Sequence, residues 1–140
     1  MKPIDKYLET KTNHLNEVVI IKSGIFCVTF NEDAQIMSYL FNYKIKEISD
    51  YKLIGFPNKT IEKVLNKLTI LGVAYVTIID NTTHVSKRSN LTETKYNRLL
   101  TKSNKVYEIN NRIKNITDKL QNLKTTSDIS NILNQIENIL

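Results

Sequence analysis

Residues 17–30, EVVIIKSGIFCVTF, constrain the fold more than any other stretch of the chain. The segment EVVIIK is apolar at both parities, and a strand with that pattern has to be covered on both faces. It therefore predicts a strand buried within a sheet. Gly24 interrupts the run, and IFCVTF resumes strand character as far as Phe30. Alternation puts Phe26, Val28 and Phe30 on one side and Ile25, Cys27 and Thr29 on the other. From alternation alone, Phe26 and Val28 form a core stripe.

The flanking sequence supplies the cover. Ile4, Tyr7, Leu8 and Leu15 fit a short helix with Pro3 in its first turn. Asn31, followed by Glu32 and Asp33, predicts an N-cap and two carboxylates complementing the dipole of a helix that runs to about Phe41. Two short strands follow, YKIKEI and YKLIGF, and Thr60 then caps a helix carrying Ile61, Val64, Leu65, Leu68 and Leu71 up to Gly72. VAYVTIID is the last strand. The expected fold class is α/β (α+β), a mixed sheet covered by helices over residues 1–80.

Residues 81–92, NTTHVSKRSNLT, read as a polar linker, and 93–140 as a basic helical hairpin. Leu99, Val106, Ile109, Ile113, Ile116, Leu120 and Leu123 step by sevens, threes and fours, which is a heptad seam. TTSD at 125–128 breaks the helix, and Ile129, Ile132, Leu133, Ile136 and Leu140 mark a second one that folds back antiparallel. A hairpin of this kind has one apolar face pair, so part of the seam needs the α/β domain or another chain. The seam residues Val106, Ile109, Ile113, Ile116, Leu120 and Leu123, together with Val28, are the candidate protein interface, with self-association as one outcome.

Charge is placed unevenly. Residues 1–83 hold ten Lys/Arg against nine Asp/Glu, residues 84–124 ten against three, and residues 125–140 none against two. A local excess of this size suits a polyanion, because each cation near a phosphate releases a condensed counterion. The alternative is a solvated helix face. Lys87, Arg88, Lys95, Arg98, Lys102 and Lys105 are the candidate phosphate contacts.

Catalytic candidates are few. His14 and His84 lack a second histidine at metal-ligand spacing, and Cys27 is the only cysteine. Gly24, Gly55 and Gly72 form neither a phosphate-cradling loop nor a dinucleotide fingerprint. No metal, cofactor or enzymatic activity is expected. The opening MKPIDKYLETK has no apolar signal core, and the longest apolar run, ILGVAYVTII, is about half the roughly 20 residues a membrane helix needs. The cytoplasm is the expected compartment.

With the elements placed, KPIDKYLETKTNHLNEVVIIKSGIFCVTFNEDAQIMSYLF resembles the N-terminal mismatch-recognition domain of the MutS family. The matching positions are Pro3, Tyr7, Leu8, Lys11, His14, Gly24, Phe26, Phe30, Asp33 and Ala34. The stretch GFPNKTIEKVLNKLTILGVAYVTIID is similar to the family's next part through Gly55, Pro57, Leu65, Lys67, Leu68, Gly72 and Val76, so the resemblance covers about residues 3–80. In that family the phenylalanine of F-x-E wedges into the duplex and stacks on a mispaired base while the glutamate hydrogen-bonds it. The resemblance therefore implies that Phe26, with Lys22 nearby, faces outward toward nucleic acid. Val28 stands at the glutamate position and can neither donate nor accept a hydrogen bond. The connector, clamp, lever and ATPase parts of the family have no counterpart in these residues. The implied role is a non-enzymatic, stand-alone accessory protein binding DNA or RNA for an enzyme supplied in trans, a repair ATPase or the reverse transcriptase of a diversity-generating retroelement. The alternative is an adaptor or oligomerisation module acting through the C-terminal helices.

Overall fold

The computed structural model describes residues 1–121 and 126–139. Its elements are α1 (Pro3–Lys11), β1 (Val18–Ser23), β2 (Phe26–Phe30), α2 (Asn31–Phe41), β3 (Lys46–Ile48), β4 (Tyr51–Pro57), α3 (Ile61–Ile70), β5 (Tyr75–Ile79), β6 (Thr82–Val85), α4 (Thr92–Gln121) and α5 (Thr126–Ile139). The six strands form one sheet in the order β3-β4-β2-β1-β5-β6. Only β1 and β5 pair in parallel, and the other neighbours are antiparallel. The mixed sheet is the one expected from sequence.

β1 lies at the middle of that order, which is why EVVIIK carries no polar parity. Val18 and Ile20 join Cys27, Ile54 and Phe56 under Ala34, Ile36 and Met37 of α2 and Val64 and Leu68 of α3. Val19 and Ile21 join Phe30 and Val76 on the opposite face, under Tyr7 of α1. Each face of β1 thus has its own hydrophobic cluster, and the central strand is almost wholly removed from water. Phe30 anchors the second cluster, with ring centroids 5.4 Å from Tyr7 and 5.6 Å from Tyr51.

β1 and β2 are joined by a two-residue turn, with Ser23 opposite Phe26 and only Gly24 and Ile25 between them. Gly24 takes φ +64, the conformation that glycine reaches without steric cost and that a tight hairpin of this hand requires. What looked like an interruption in one strand is the tip of a hairpin.

Four local expectations are corrected. α1 ends at Lys11, and Leu8 and Leu15 are exposed, because one turn around Tyr7 already covers its part of the sheet. Asn31 is not the N-cap of α2. Phe30 occupies that position in extended conformation, while Asn31 opens the helix at φ 51 and its Oδ1 accepts the Lys52 backbone N–H. Thr60 precedes α3, but its hydroxyl donates to the Pro57 carbonyl and makes no cap bond. The supposed linker 81–92 contains β6, which pairs with β5 from Val76–Val85 to Ile79–Thr82. Asp80 and Asn81, both at positive φ, turn the chain back, so β6 is an exposed edge strand whose polar composition reflects its position.

The chain divides into two compact units, Met1–Ser103 and Asn104–Leu140. The first therefore reaches past residue 80, taking in β6 and the start of α4. Tyr96 is buried in the main core cluster, and Leu99 and Leu100 pack against it. Leu99 belongs to the α/β core, which shortens the expected seam. In the second unit, Ile116 is buried, Ile113 and Leu120 are half-buried, and Arg112, Asn115 and Ile116 share a hollow with Gln135, Asn138 and Ile139 of α5. These residues place α5 back alongside α4 as the expected hairpin. Leu123, residue 125 and Leu140 lie outside the described residues, and α5 begins at Thr126, within the stretch 125–128 expected to break the helix.

Candidate nucleic-acid interface

At the β1–β2 tip, Phe26 keeps 47% of its surface exposed although Cys27, Thr29 and Phe30 on the same strand are buried. Val28, between them, is half-buried and packs against the α1-side cluster. The stripe Phe26–Val28–Phe30 thus runs from solvent into the core along one face. It is neither wholly core nor wholly exposed.

Phe26 lies opposite Pro57 in the β2–β4 pairing. Around it is an open hollow lined by Lys22, Gly24, Ile25, Phe26, Pro57, Asn58 and Lys59. Its sides are apolar, it holds two lysines, and no carboxylate lines it. Lys22 also reaches Asp80 at 3.3 Å, but Asp80 is highly exposed and the pair is screened by water. The backbone of the tip is braced. The Asn58 N–H donates to the Ile25 carbonyl at 2.8 Å, and the Cys27 thiol donates to Asn58 Oδ1 at 3.3 Å. Burial pushes the Cys27 thiol up from its ordinary range, while Lys22 pulls it down, so the thiol is kept as donor. Lys59 was not legible in the sequence, because only the pairing of β4 with β2 brings it beside Phe26.

The basic residues after β6 separate into two kinds. Arg88 stands 2.6 Å from Oε1 of fully buried Glu17, as an ion pair without hydrogen-bond alignment, while His14 Nδ1 contacts Oε2 of the same carboxylate. Lys95 lies against Gly72, where α3 ends at φ +75, and a Cβ there would stand 2.0 Å from its Nζ. A cation at a helix C-terminus is favourably placed. Arg88 and Lys95 thus also make contacts within the fold, unlike the other four expected phosphate contacts. Lys87, Arg98 and Lys102 are exposed on the first unit, and Lys105 is exposed on the second.

Sequence reasoning also misplaced Asp33. Its side chain is fully buried and accepts hydrogen bonds from Tyr7 OH (2.9 Å), Tyr96 OH (2.5 Å), Lys11 Nζ (3.0 Å) and the Val19 N–H (3.0 Å). One carboxylate ties α1, β1, α2 and α4 together. Lys11 also donates to the Glu17 carbonyl and to Tyr96 OH. Burial pushes the Asp33 carboxyl up from its ordinary range; Lys11, then Tyr96 and the Val19 N–H, pull it back. Tyr7 and Tyr96 are pushed far above the ordinary tyrosine value, first by burial and then by the Asp33 charge, so both hydroxyls remain donors. The available sequence signal was Tyr7 and Lys11, four apart on one face of α1.

Residues 2–108 match the family model for MutS domain I. The chain belongs to the MutS domain I family. The match runs through β6 into α4, so the front of the basic region is part of this domain. Curated relatives include the DNA mismatch repair protein MutS of Thermotoga petrophila, 28% identical over 97 residues, covering 69% of this chain and 12% of that protein. MutS of Thermotoga maritima is 27% identical over 97 residues, with the same coverage. MutS of Thermotoga neapolitana is 28% identical over 101 residues, covering 71% of this chain and 12% of that protein. This MutS domain I chain thus spans about an eighth of the length of the relatives it matches. Among its described residues, no helix is long and apolar enough to cross a membrane, and no three His, Cys, Asp or Glu side chains are grouped to hold a metal ion.

Proposed function

We propose that this MutS-like domain is a non-catalytic DNA-binding module that recognises weakly paired steps of a duplex by stacking, with Phe26 as the wedge. The observation that carries the reading is Phe26, half-exposed at a braced hairpin tip between Lys22 and Lys59. An apolar side chain inserted at a base step unstacks it, which costs least where pairing is already poor. With valine at position 28, the contact next to the wedge carries no hydrogen bond to a base. Discrimination then follows the ease of unstacking rather than base identity. Lys59, Lys87, Arg98 and Lys102 supply phosphate contacts. Processing of the nucleic acid falls to a protein acting in trans, of the repair ATPase or polymerase class.

A salt series tests the electrostatic part. Four phosphate contacts give a slope of roughly −3 to −4 in log Kobs against log salt on a DNA duplex. A flat plot, or no detectable binding at low salt, removes the proposal.

A second reading is favoured by Val106 and Ile109, each 40% exposed on the Asn104–Leu140 unit. An apolar pair of this kind suits a partner helix, including one from a second copy. Under that reading the protein self-associates at micromolar concentration in sedimentation, and Val106→Asp with Ile109→Asp abolishes association without unfolding. A monomer throughout the concentration range excludes self-association as its form.

A further inference from the structure

The residue beside the wedge is itself unusual. Ile25 is 77% exposed and sits second in a two-residue hairpin turn, where small or polar residues are ordinarily favoured. Isolated exposed apolar residues carry little information. Ile25 is not isolated, since it is contiguous with Phe26 and Pro57 in a hollow whose only charges are Lys22 and Lys59. A Cβ built on Gly24 would meet nothing within 4 Å, so the turn faces open space at that residue. Its backbone is nevertheless fixed, by the Asn58 N–H on the Ile25 carbonyl and by the Phe26–Pro57 pairing. An exposed apolar tip, held rigid and flanked by cations, is matched to an apolar surface bordered by negative charge. The edge of an opened base step between two phosphates has that character.

We propose that Ile25 is a second wedge residue, entering the opened step beside Phe26 and covering the unstacked base face that the phenyl ring leaves bare. This rests on the stacking reading above and adds a specificity-determining residue to it. Isoleucine is among the side chains able to hold a kinked step open. Because Ile25 touches no base in a fully paired duplex, its contribution is confined to substrates with a weak step.

The test uses the full chain with a fluorescent DNA duplex bearing one unpaired nucleotide and its fully paired counterpart, by anisotropy at fixed salt. Ile25→Ser is expected to weaken binding to the bulged duplex by about tenfold. Binding to the paired duplex, the salt slope and the thermal midpoint stay as in the parent, and Ile25→Met retains most of the affinity. If Ile25→Ser binds the bulged duplex as the parent does while Phe26→Ala loses it, the second wedge is overturned and the stacking reading stands. Equal loss on both duplexes also overturns it, since a general contact would explain that. A parent that shows no preference between the duplexes removes the stacking reading and the second wedge together. A parent that binds neither duplex but self-associates, with association lost in Ile25→Ser, overturns both in favour of a protein occupant of the tip.

Discussion

Replacing Asp33 with alanine lowers the stability of the Met1–Ser103 unit by about 3–5 kcal/mol. The carboxylate has no exposed surface and satisfies four donors, two of them tyrosine hydroxyls from α1 and α4. Without it, Tyr7 OH, Tyr96 OH and the Val19 N–H lose their acceptor in a buried site, and Lys11 loses its counter-charge. A typical domain has only about 5–15 kcal/mol in total, so the loss is a large part of the whole. Denaturant midpoints measure it, and a loss below about 1 kcal/mol would show that the site relaxes without cost. The same site sets the alkaline limit. In the unfolded chain both tyrosines ionise near 10.0, whereas in the fold burial and Asp33 hold them protonated well above it. The folded state then binds more protons than the unfolded one as pH rises past that value, so stability falls with increasing pH. Each hydroxyl contributes a slope of about 1.4 kcal/mol per pH unit, and Tyr96→Phe removes one such share.

How much of this was legible in the sequence depends on whether the cause is local. The buried central strand was legible because EVVIIK has no polar parity, and the helices over it because Ile36, Met37, Val64 and Leu68 recur at helical spacing. β6 was hidden, since Thr82–Val85 is an exposed edge and carries no apolar face to announce it. The division of the cations was hidden for another reason. Lys87 and Arg88 are adjacent and chemically alike, yet only Arg88 reaches buried Glu17, seventy-one positions earlier in the chain. Asp33 followed the rules of a helix N-terminus so well that its burial left no mark in the local sequence. Its role depends on Tyr96, which approaches only when α4 docks. Phe26 was ambiguous by alternation alone, because β2 is core at one end and solvent at the other.

Phe26→Ala carries the second large effect. Stacking of one base on an aromatic ring is worth roughly 1–3 kcal/mol, which corresponds to about 5- to 150-fold in affinity. Phe26 is half-exposed, so its loss leaves the core clusters around Phe30 and Val28 in place and the fold intact. The phosphate contacts of Lys59, Lys87, Arg98 and Lys102 are untouched, so binding to a fully paired duplex and its salt slope remain. The measurement is the ratio of Kd values for paired and bulged DNA, taken for the parent and for Phe26→Ala at one salt concentration. A parent ratio well above one that collapses to about one in the variant is the predicted result, and a ratio that survives removal of the ring would contradict it.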